Sequence, residues 1–216
     1  MCDAIFLSAG VPDPKRGAIY AATANTVAIT SAVSALIHVT IGRRPLIWGG
    51  HPAITPMIMT MAQAIGVNYG SWVQLYQSRY FEDQFPEDNA QFRNVFYIDA
   101  IENDREKSLF SMRERMFSEH EFGAAVFIGG MEGIIDEFEL FKTLQPTAKI
   151  MPITSTGGAA LEVAKRNQIS NDDFLNDLDY VSLFHRYLEI STREERYISR
   201  EDQPSIVEQR FWQPPN

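Results

Sequence analysis

The sequence contains almost no cysteine. Cys2 is the only one among 216 residues, so no disulfide can form within the chain, and a reducing compartment suits this composition. The first ten residues, MCDAIFLSAG, also lack the basic stretch and the longer apolar run of a secretory signal peptide. We therefore expect a cytoplasmic protein.

Basic residues are also few. The chain has 19 lysines and arginines against 28 aspartates and glutamates, which gives a formal net charge of −9 and a sequence pI near 4.9. This balance disfavours a protein that binds nucleic acid through a broad basic face. A small nucleotide remains open as a ligand, because a local pocket can be positive within an acidic surface.

One stretch without charged side chains has the length of a membrane span. Residues 17–42 contain no aspartate, glutamate, lysine or arginine, and such a length could span a bilayer. The stretch contains several threonines and serines, however, and Ile29, Val33, Leu36 and Ile37 recur at the spacing of one helix face. A helix packed on a sheet explains this pattern better than a membrane span, so we expect no membrane partner.

Several standard motifs are missing as well. No stretch matches G-x-x-x-x-G-K-[ST], which excludes a P-loop, and no G-x-G-x-x-G follows the first apolar run, which argues against an ordinary dinucleotide-dependent dehydrogenase. There is no G-x-S-x-G elbow of a serine hydrolase. The four histidines do not have the paired spacing of metal ligands. We expect no metal site and no required cofactor.

The sequence does contain short apolar runs that end in glycine or small polar residues. They lie at residues 4–10, 45–50, 94–100, 124–130 and 149–158, with a weaker candidate at 72–77. Near-continuous apolar runs separated by helix-length segments are typical of parallel strands covered on both faces. The pattern predicts a Rossmann-like, doubly wound α/β fold with a mostly parallel sheet flanked by helices.

The segments between these runs predict helices. Apolar residues recur at helical spacing in residues 54–65, 104–119, 134–144 and 157–167. Residues 170–190 predict one or two further helices, opened by Ser170 or Asn171 as N-cap, and residues 77–93 predict a surface loop. We divide the chain into a Rossmann-like domain over residues 1–169 and a C-terminal helical extension and tail over 170–216 that packs on it.

Four of the predicted strands end in loops that suit an anionic ligand. In open parallel sheets, ligands bind outside the carboxyl ends of the strands, where glycine lets N–H groups approach a phosphate and the following helix adds free donors. The steric needs of a turn would explain any single loop, but four loops at one edge favour a shared pocket. The ligand-binding residues predicted in these loops are Ser8, Ala9, Gly10, Gly49, Gly50, His51, Gly129, Gly130, Met131, Thr156 and Gly157.

Three further polar groups at these strand ends each have two interpretations. His51 could bind a phosphate or ribose, or its ring nitrogen could cap its own turn. Thr55, which precedes a proline, fits an N-cap and could also contact a ligand. Glu132 would repel a phosphate but can accept hydrogen bonds from ribose hydroxyls or an adenine amine.

The stretches FLSAGVP, GGHPAITP and FIGGMEGIIDEFELF together resemble the SLOG superfamily, Rossmann-like domains named for the DprA and LOG proteins. The resemblance covers roughly residues 4–167 and is greatest to the branch associated with TIR and nucleoside-phosphorylase-like domains in prokaryotic defence systems. It implies a sensor or ligand-binding component for a nucleotide or an NAD-derived nucleotide, such as an ADP-ribose variant. It also implies a homodimer or higher homo-oligomer and a TIR-type effector as partner.

The LOG enzymes, which release the base from nucleoside monophosphates, supply a sharper comparison. Their MHxRK motif resembles residues 112–116, which places Arg115 at the catalytic arginine, and their PGGxGTxxE motif resembles residues 128–136. Glu137 reaches the catalytic acid position with a one-residue shift, while Asp136 occupies it without a gap. Proline, a glycine, threonine and lysine of these motifs are replaced here, and these departures argue against hydrolysis more than against binding.

Arg113 and Arg115 cannot both face the predicted pocket. They flank the apolar stripe of the helix predicted over 104–119 on nearly opposite sides. The resemblance favours Arg115 as the catalytic residue, and Arg113 is the ligand-binding alternative. Arg105 is closer to the stripe and could reach the crevice from the start of the helix.

Three functions follow from this sequence. The leading one is binding of a nucleotide or NAD-derived signal, with a role in antiviral defence. The second is a LOG-like N-glycosidase that uses Arg115 with Glu137 on nucleoside monophosphates or NAD-like substrates. The third is a protein-interaction module without catalysis.

Overall fold

A computed structural model describes residues 4–51, 53–85 and 94–212. Its centre is a six-stranded sheet in the order β4-β3-β2-β1-β5-β6, in which every named pair is parallel. The strands are β1 (Ala4–Gly10), β2 (Leu46–Trp48), β3 (Val73–Ser78), β4 (Val95–Ile98), β5 (Phe122–Gly129) and β6 (Lys149–Ile153). All six strand predictions are confirmed, including the weaker candidate that became β3.

The helices of the described residues cover both faces of this sheet. They are α1 (Ala18–Ala21), α2 (Thr26–Thr40), α3 (Thr55–Ile65), α4 (Tyr69–Trp72), α5 (Arg105–Ser118), α6 (Glu132–Leu144), α7 (Ala159–Arg166), α8 (Asp172–Asn176) and α9 (Tyr180–Tyr187). Short 3₁₀ turns lie at Arg79–Gln84, Thr154–Thr156, Arg200–Asp202 and Val207–Arg210. Part of the predicted loop at 77–93 lies outside the described residues. Its described beginning instead completes β3 and enters the first 3₁₀ turn.

The strands are apolar throughout because each of their two faces is covered. In β1, Ile5 and Leu7 pack into the core under α2, α3 and α9, whereas Ala4 and Phe6 pack into the core under α5, α6 and α7. Successive side chains of a strand point to opposite faces, so a strand buried on both sides shows no polar alternation. The Rossmann-like doubly wound fold predicted from the sequence is confirmed.

The strand order defines the place where a ligand crevice can form. From β1 the chain steps through β2 and β3 to β4 on one side, and β5 then returns to pair with β1 on the other side. The loops that follow β1 and β5 therefore leave the sheet towards different helical layers. In open α/β sheets this switch point leaves a crevice outside the carboxyl ends of the strands.

Side-chain caps begin several of the helices, and one cap predicted from the sequence is wrong. Asn25, Asp104 and Asn171 each accept a backbone N–H of the first turn of α2, α5 and α8, as N-caps do. The prediction that Thr55 caps α3 is wrong: Ile54 holds the cap position, and Thr55 is already helical and donates its hydroxyl to the carbonyl of His51. The turn after Gly50 brings the carbonyl of His51 within reach, so the Thr55 hydroxyl donates to it instead of capping α3.

The described part of the C-terminal segment packs on the α2 face of the sheet. Leu183 and Phe184 of α9 are fully buried in the core beneath it. Further along, the side chain of Glu194 is 1% exposed and receives two hydrogen bonds from Arg44, at 2.5 and 3.0 Å. The indole N–H of Trp72 donates to the carbonyl of Tyr197. Among the described residues, no helix combines the length and the apolar character needed to cross a bilayer.

Candidate functional site

Two adjoining cavities lie at the carboxyl edge of the sheet, at the switch point. The first, which we call the α6 lobe, has a volume of about 280 Å³ and lies between the loop after β1 and the start of α6. The second, the β3 lobe, has a volume of about 320 Å³ and lies between the ends of β2 and β3 and α5. The residues that line both lobes are Arg16, Gly50, His51, Arg105 and Glu137. The two lobes thus form one crevice of a size that suits a small molecule.

The amino end of α6 supplies open backbone donors to the α6 lobe. Within the described residues, the amides of Met131, Glu132 and Gly133 have no hydrogen-bond acceptor. Gly130 is different, because its N–H donates to the carbonyl of Gly10 at 2.7 Å. The open donors of this loop are therefore those of the first helical turn and not the N–H of Gly130. Free N–H groups at a helix start attract an anion.

Two arginines add positive charge to the crevice. Arg16, in the turn after β1, is exposed and forms no ion pair with another described residue, and Arg105 opens α5. Arg105 pairs with Glu106 at 2.5 Å, but both side chains are exposed, by 48% and 72%. Such surface pairs contribute little and exchange readily for a ligand anion. Glu132 also lines the α6 lobe, so the positive field is strongest on the Arg16 and Arg105 side.

His51 combines the two roles that the sequence left open. Its Nδ1 accepts the backbone N–H of Ala53 at 3.2 Å, which caps the turn, while the ring lies against Gly10 and lines both lobes. Burial, and to a smaller extent Arg16, lowers the pKa of His51 below its ordinary value of 6.5. The ring is therefore neutral near pH 7. With Nδ1 used as an acceptor, the proton of the neutral ring resides on Nε2, which can donate to a ligand.

A buried polar cluster forms where the two lobes meet. The hydroxyl of Ser8 donates to Glu137 Oε2 at 2.5 Å, and Arg113 Nε lies 3.5 Å from Glu137 Oε1. Arg113 also donates to the carbonyl of Gly133 at 3.0 Å, and its Nε is a buried atom without a hydrogen-bond partner. Burial raises the pKa of the Glu137 carboxyl, while Arg113 and Ser8 act in the opposite direction. Ser8 fixes the Glu137 carboxyl through this hydrogen bond, but Ser8 itself does not line either lobe.

The structure turns Arg113, and not Arg115, towards the crevice. The Arg113 side chain is 9% exposed and lines the β3 lobe. The Arg115 side chain is 51% exposed and pairs with Glu119 one turn along α5 at 2.7 Å. We expected only one of the two arginines to face the crevice, and the sequence comparison favoured Arg115. In the structure it is Arg113, on the other side of the apolar stripe of α5. Of the two candidate acids, Glu137 points inwards, whereas the side chain of Asp136 is 48% exposed.

Three predicted ligand residues hold the loop together from below the crevice. Thr156 is fully buried; its hydroxyl accepts the N–H of Gly129 at 2.9 Å and donates to the carbonyl of Ile153. Gly157 donates its N–H to the carbonyl of Thr154. Gly129, Thr156 and Gly157 do not line either lobe. Apart from these three and Ser8, the predicted binding residues do line the crevice: Ala9, Gly10, Gly49, Gly50, His51, Thr55, Arg113, Gly130, Met131 and Glu132.

Several residues of the crevice were not singled out from the sequence. Arg16 belongs to none of the strand-end patterns, and it reaches the crevice only because the turn after β1 folds back over it. Gln77, Phe81 and Phe85 form one wall of the β3 lobe. They lie at the end of β3 and in the 3₁₀ turn after it, a segment that the sequence identified only as a weak strand and a surface loop. The described residues contain no cluster of histidine, cysteine, aspartate and glutamate that could hold a metal ion.

Comparison with known proteins supports the family and not a particular activity. The family model described as the SLOG cluster3 family matches residues 19–188. The match includes five of the six strands and most of the crevice lining, whereas β1 and Arg16 lie before it. No curated protein matches the chain, and no solved structure does either. Since the match covers well over half of its length, the chain belongs to the SLOG cluster3 family.

Proposed function

We propose that the protein binds a nucleotide or an NAD-derived nucleotide in the crevice and acts as a sensor or ligand-binding component. The observation that carries this proposal is the set of three open amides at the start of α6, which face Arg16 and Arg105 across the α6 lobe. Main-chain donors at a helix start together with arginine side chains suit a phosphate better than any other common group.

The neighbouring groups extend the match from a phosphate to a nucleotide. Glu137 and the neutral ring of His51 line the junction of the lobes, where they can accept from and donate to ribose hydroxyls. The lining of the β3 lobe includes the aromatic and apolar side chains of Phe81, Phe85, Leu109 and Met112, which suit a base. Membership of the SLOG cluster3 family agrees with a nucleotide-related ligand.

Calorimetric titration tests the proposal. The ligands are AMP, ADP-ribose, NAD and cyclic isomers of ADP-ribose, and we expect at least one to bind with a matching thermal stabilisation. A ligand at one hundred times its Kd stabilises the folded chain by about 2.7 kcal/mol. Replacing Arg16 or Arg105 by alanine should weaken binding about tenfold, because a charged hydrogen bond to phosphate is lost.

The matched control is Arg115→Ala, which removes an arginine of α5 that the crevice does not contain. Its affinity should equal that of the unaltered chain. Absence of binding to every one of these ligands, or equal losses in all three variants, would contradict the proposal.

A second candidate function is N-glycosidase activity on nucleoside monophosphates or NAD-like substrates. The observation that favours it is Glu137, a mostly buried carboxyl whose pKa is raised by burial and which lies at the lobe junction beside Arg113. Such a group can stabilise a positive sugar centre or transfer a proton. Release of free base by the unaltered chain, and its loss in Glu137→Gln, would support this function. Binding without any base release over a long incubation would leave the sensor function alone.

A further inference from the structure

The β3 lobe contains a polar side chain whose orientation is fixed by the backbone. Gln77 Nε2 donates to the carbonyl of Gly49 at 3.2 Å. A carbonyl oxygen can only accept, so the NH₂ end of the amide must face Gly49 and the Oε1 end must point away from it. Gln77 Oε1 accepts no hydrogen bond from the described residues, which leaves it available in the lobe.

Gly50 holds this amide in place from the other side. A Cβ atom built on Gly50 would lie 1.8 Å from Gln77 Nε2 and 3.0 Å from Leu75 Cδ1. Only glycine therefore lets the amide lie against the main chain at the end of β2. With the backbone of Gly50 beneath it and the Gly49 carbonyl at one end, the amide cannot turn over without losing its hydrogen bond.

Several other side chains that line the lobe are apolar or aromatic. Phe81 and Phe85 in the segment after β3 and Leu109 and Met112 of α5 line it together with Gln77. The volume of about 320 Å³ is ample for one heterocyclic base. Aromatic side chains stack on any base, so stacking by itself gives affinity without selecting which base is bound.

We propose that the β3 lobe binds the base of the nucleotide and that Gln77 selects a base with an amino group beside an unprotonated ring nitrogen, as in adenine and cytosine. Gln77 Oε1 accepts from the amino group, and the remaining N–H of Nε2 donates to the ring nitrogen. Glutamine pairs with adenine in this bidentate way in nucleic-acid recognition. This inference rests on the proposed nucleotide function and identifies the chemical class of ligand for it.

The same geometry rejects bases with an oxo group in place of the amine. Hypoxanthine and uracil carry an acceptor oxygen beside a protonated ring nitrogen, so they would place an acceptor against Gln77 Oε1 and a donor against its N–H. Pairing with them requires the amide to turn over, which the Gly49 carbonyl opposes. A site built to hydrogen-bond one pattern leaves its polar groups unpaired with the other.

Titration with AMP, CMP, IMP and UMP tests this selection. AMP and IMP differ only in the amino or oxo group and the protonation of the adjacent ring nitrogen, and CMP and UMP form the equivalent pyrimidine pair. We expect the amino nucleotide of at least one pair to bind about tenfold to a hundredfold more tightly than its oxo partner, as a bidentate pair does. The two pairs also distinguish a purine-sized from a pyrimidine-sized site.

The variant Gln77→Leu should abolish this preference by weakening the amino nucleotide while leaving the oxo nucleotide within about threefold of its former affinity. The control is Gln74→Leu, which makes the same change on the same strand in a separate cavity and should retain the preference. Circular dichroism confirms folding of both variants, and the comparison of AMP with IMP on the unaltered chain does not depend on either.

The outcomes separate this inference from the function on which it rests. If the unaltered chain binds none of the four nucleotides nor the larger ligands above, the proposed function fails. If it binds them without preferring amino over oxo bases, or if Gln77→Leu keeps the preference, the role of Gln77 fails while nucleotide binding stands.

Discussion

At the scale of single residues, Arg113 and Arg115 differ sharply in burial. Two positions on one helix separate them, yet one lies in the buried cluster with Glu137 and the other pairs with Glu119 in solvent. The same substitution at the two positions therefore removes the same side chain from the same helix, and only the burial of that side chain differs.

We expect Arg113→Leu to lower the free energy of unfolding by about 3 kcal/mol, because it leaves the buried carboxylate of Glu137 without its cation. Arg115→Leu should change it by less than about 1 kcal/mol, since an exposed ion pair is worth little. Urea unfolding of the two variants measures the difference. Equal losses would show that Arg113 does not neutralise Glu137 in the folded chain.

His51 gives a prediction on the pH dependence of stability. Its pKa is lowered in the folded chain by burial, with a smaller contribution from Arg16, so the unfolded chain binds the proton more readily. The stability is then complete above the ordinary pKa of about 6.5 and is lost as the pH falls towards the folded value.

The chain with His51→Gln should therefore lose less stability between about pH 7.5 and about pH 5.5 than the unaltered chain does. Urea unfolding midpoints at the two pH values measure both losses. Identical losses in the two proteins would mean that His51 has no part in the acid sensitivity.

At the scale of elements, the turn after β6 depends on close contact with the segment before α2. Gly157 has a φ of +69°, and a Cβ there would lie 2.0 Å from the carbonyl oxygen of Thr23. The hydroxyl of Thr23 in turn accepts the N–H of Gly158 at 3.1 Å. Gly157 is thus required for the two loops to pack together. This steric need explains a glycine at position 157 without the ligand contact that the sequence suggested.

Gly157→Ala should destabilise the fold by about 3 kcal/mol or more, because both the backbone conformation and the contact with Thr23 oppose a side chain. Gly66, which ends α3, is the control: its φ is +78°, but a Cβ there has no neighbour within 4 Å. Gly66→Ala should cost only about 1–2 kcal/mol, the price of the left-handed conformation. Thermal unfolding compares the two, and similar losses would contradict the steric explanation.

At the scale of the whole molecule, the C-terminal segment completes one side of the core. Leu183, Phe184 and Ile190 are buried beneath α2 and its neighbours, and Glu194 neutralises Arg44 at the opposite edge of the sheet from the crevice. The SLOG match ends at residue 188, so part of this packing lies beyond it.

We expect a chain of residues 1–169 to lack a cooperative unfolding transition, since the α2 face would expose a continuous apolar surface to water. Circular dichroism melts of residues 1–169 and of the full chain test this. A cooperative melt of residues 1–169 would show that the first part of the chain folds independently.

The sequence by itself determined the fold class, the six strands and the edge of the sheet at which the crevice lies. Apolar runs that end in glycine are local signals, and parallel strands necessarily bring their carboxyl ends to one edge. The glycine pairs at the ends of β2 and β5 indicate that edge from the sequence alone.

Only the tertiary structure decided which groups face the crevice. The rotation of α5 selects Arg113 over Arg115, and hydrogen bonds to Gly10 and Thr156 occupy the amides of Gly130 and Gly129. The turn that follows the FLSAGVP stretch brings in Arg16. These outcomes depend on how elements distant in sequence pack against one another. A helical pattern fixes the buried stripe of a helix but not which of its flanks faces an open crevice, and a loop sequence does not show which of its donors its own fold will use.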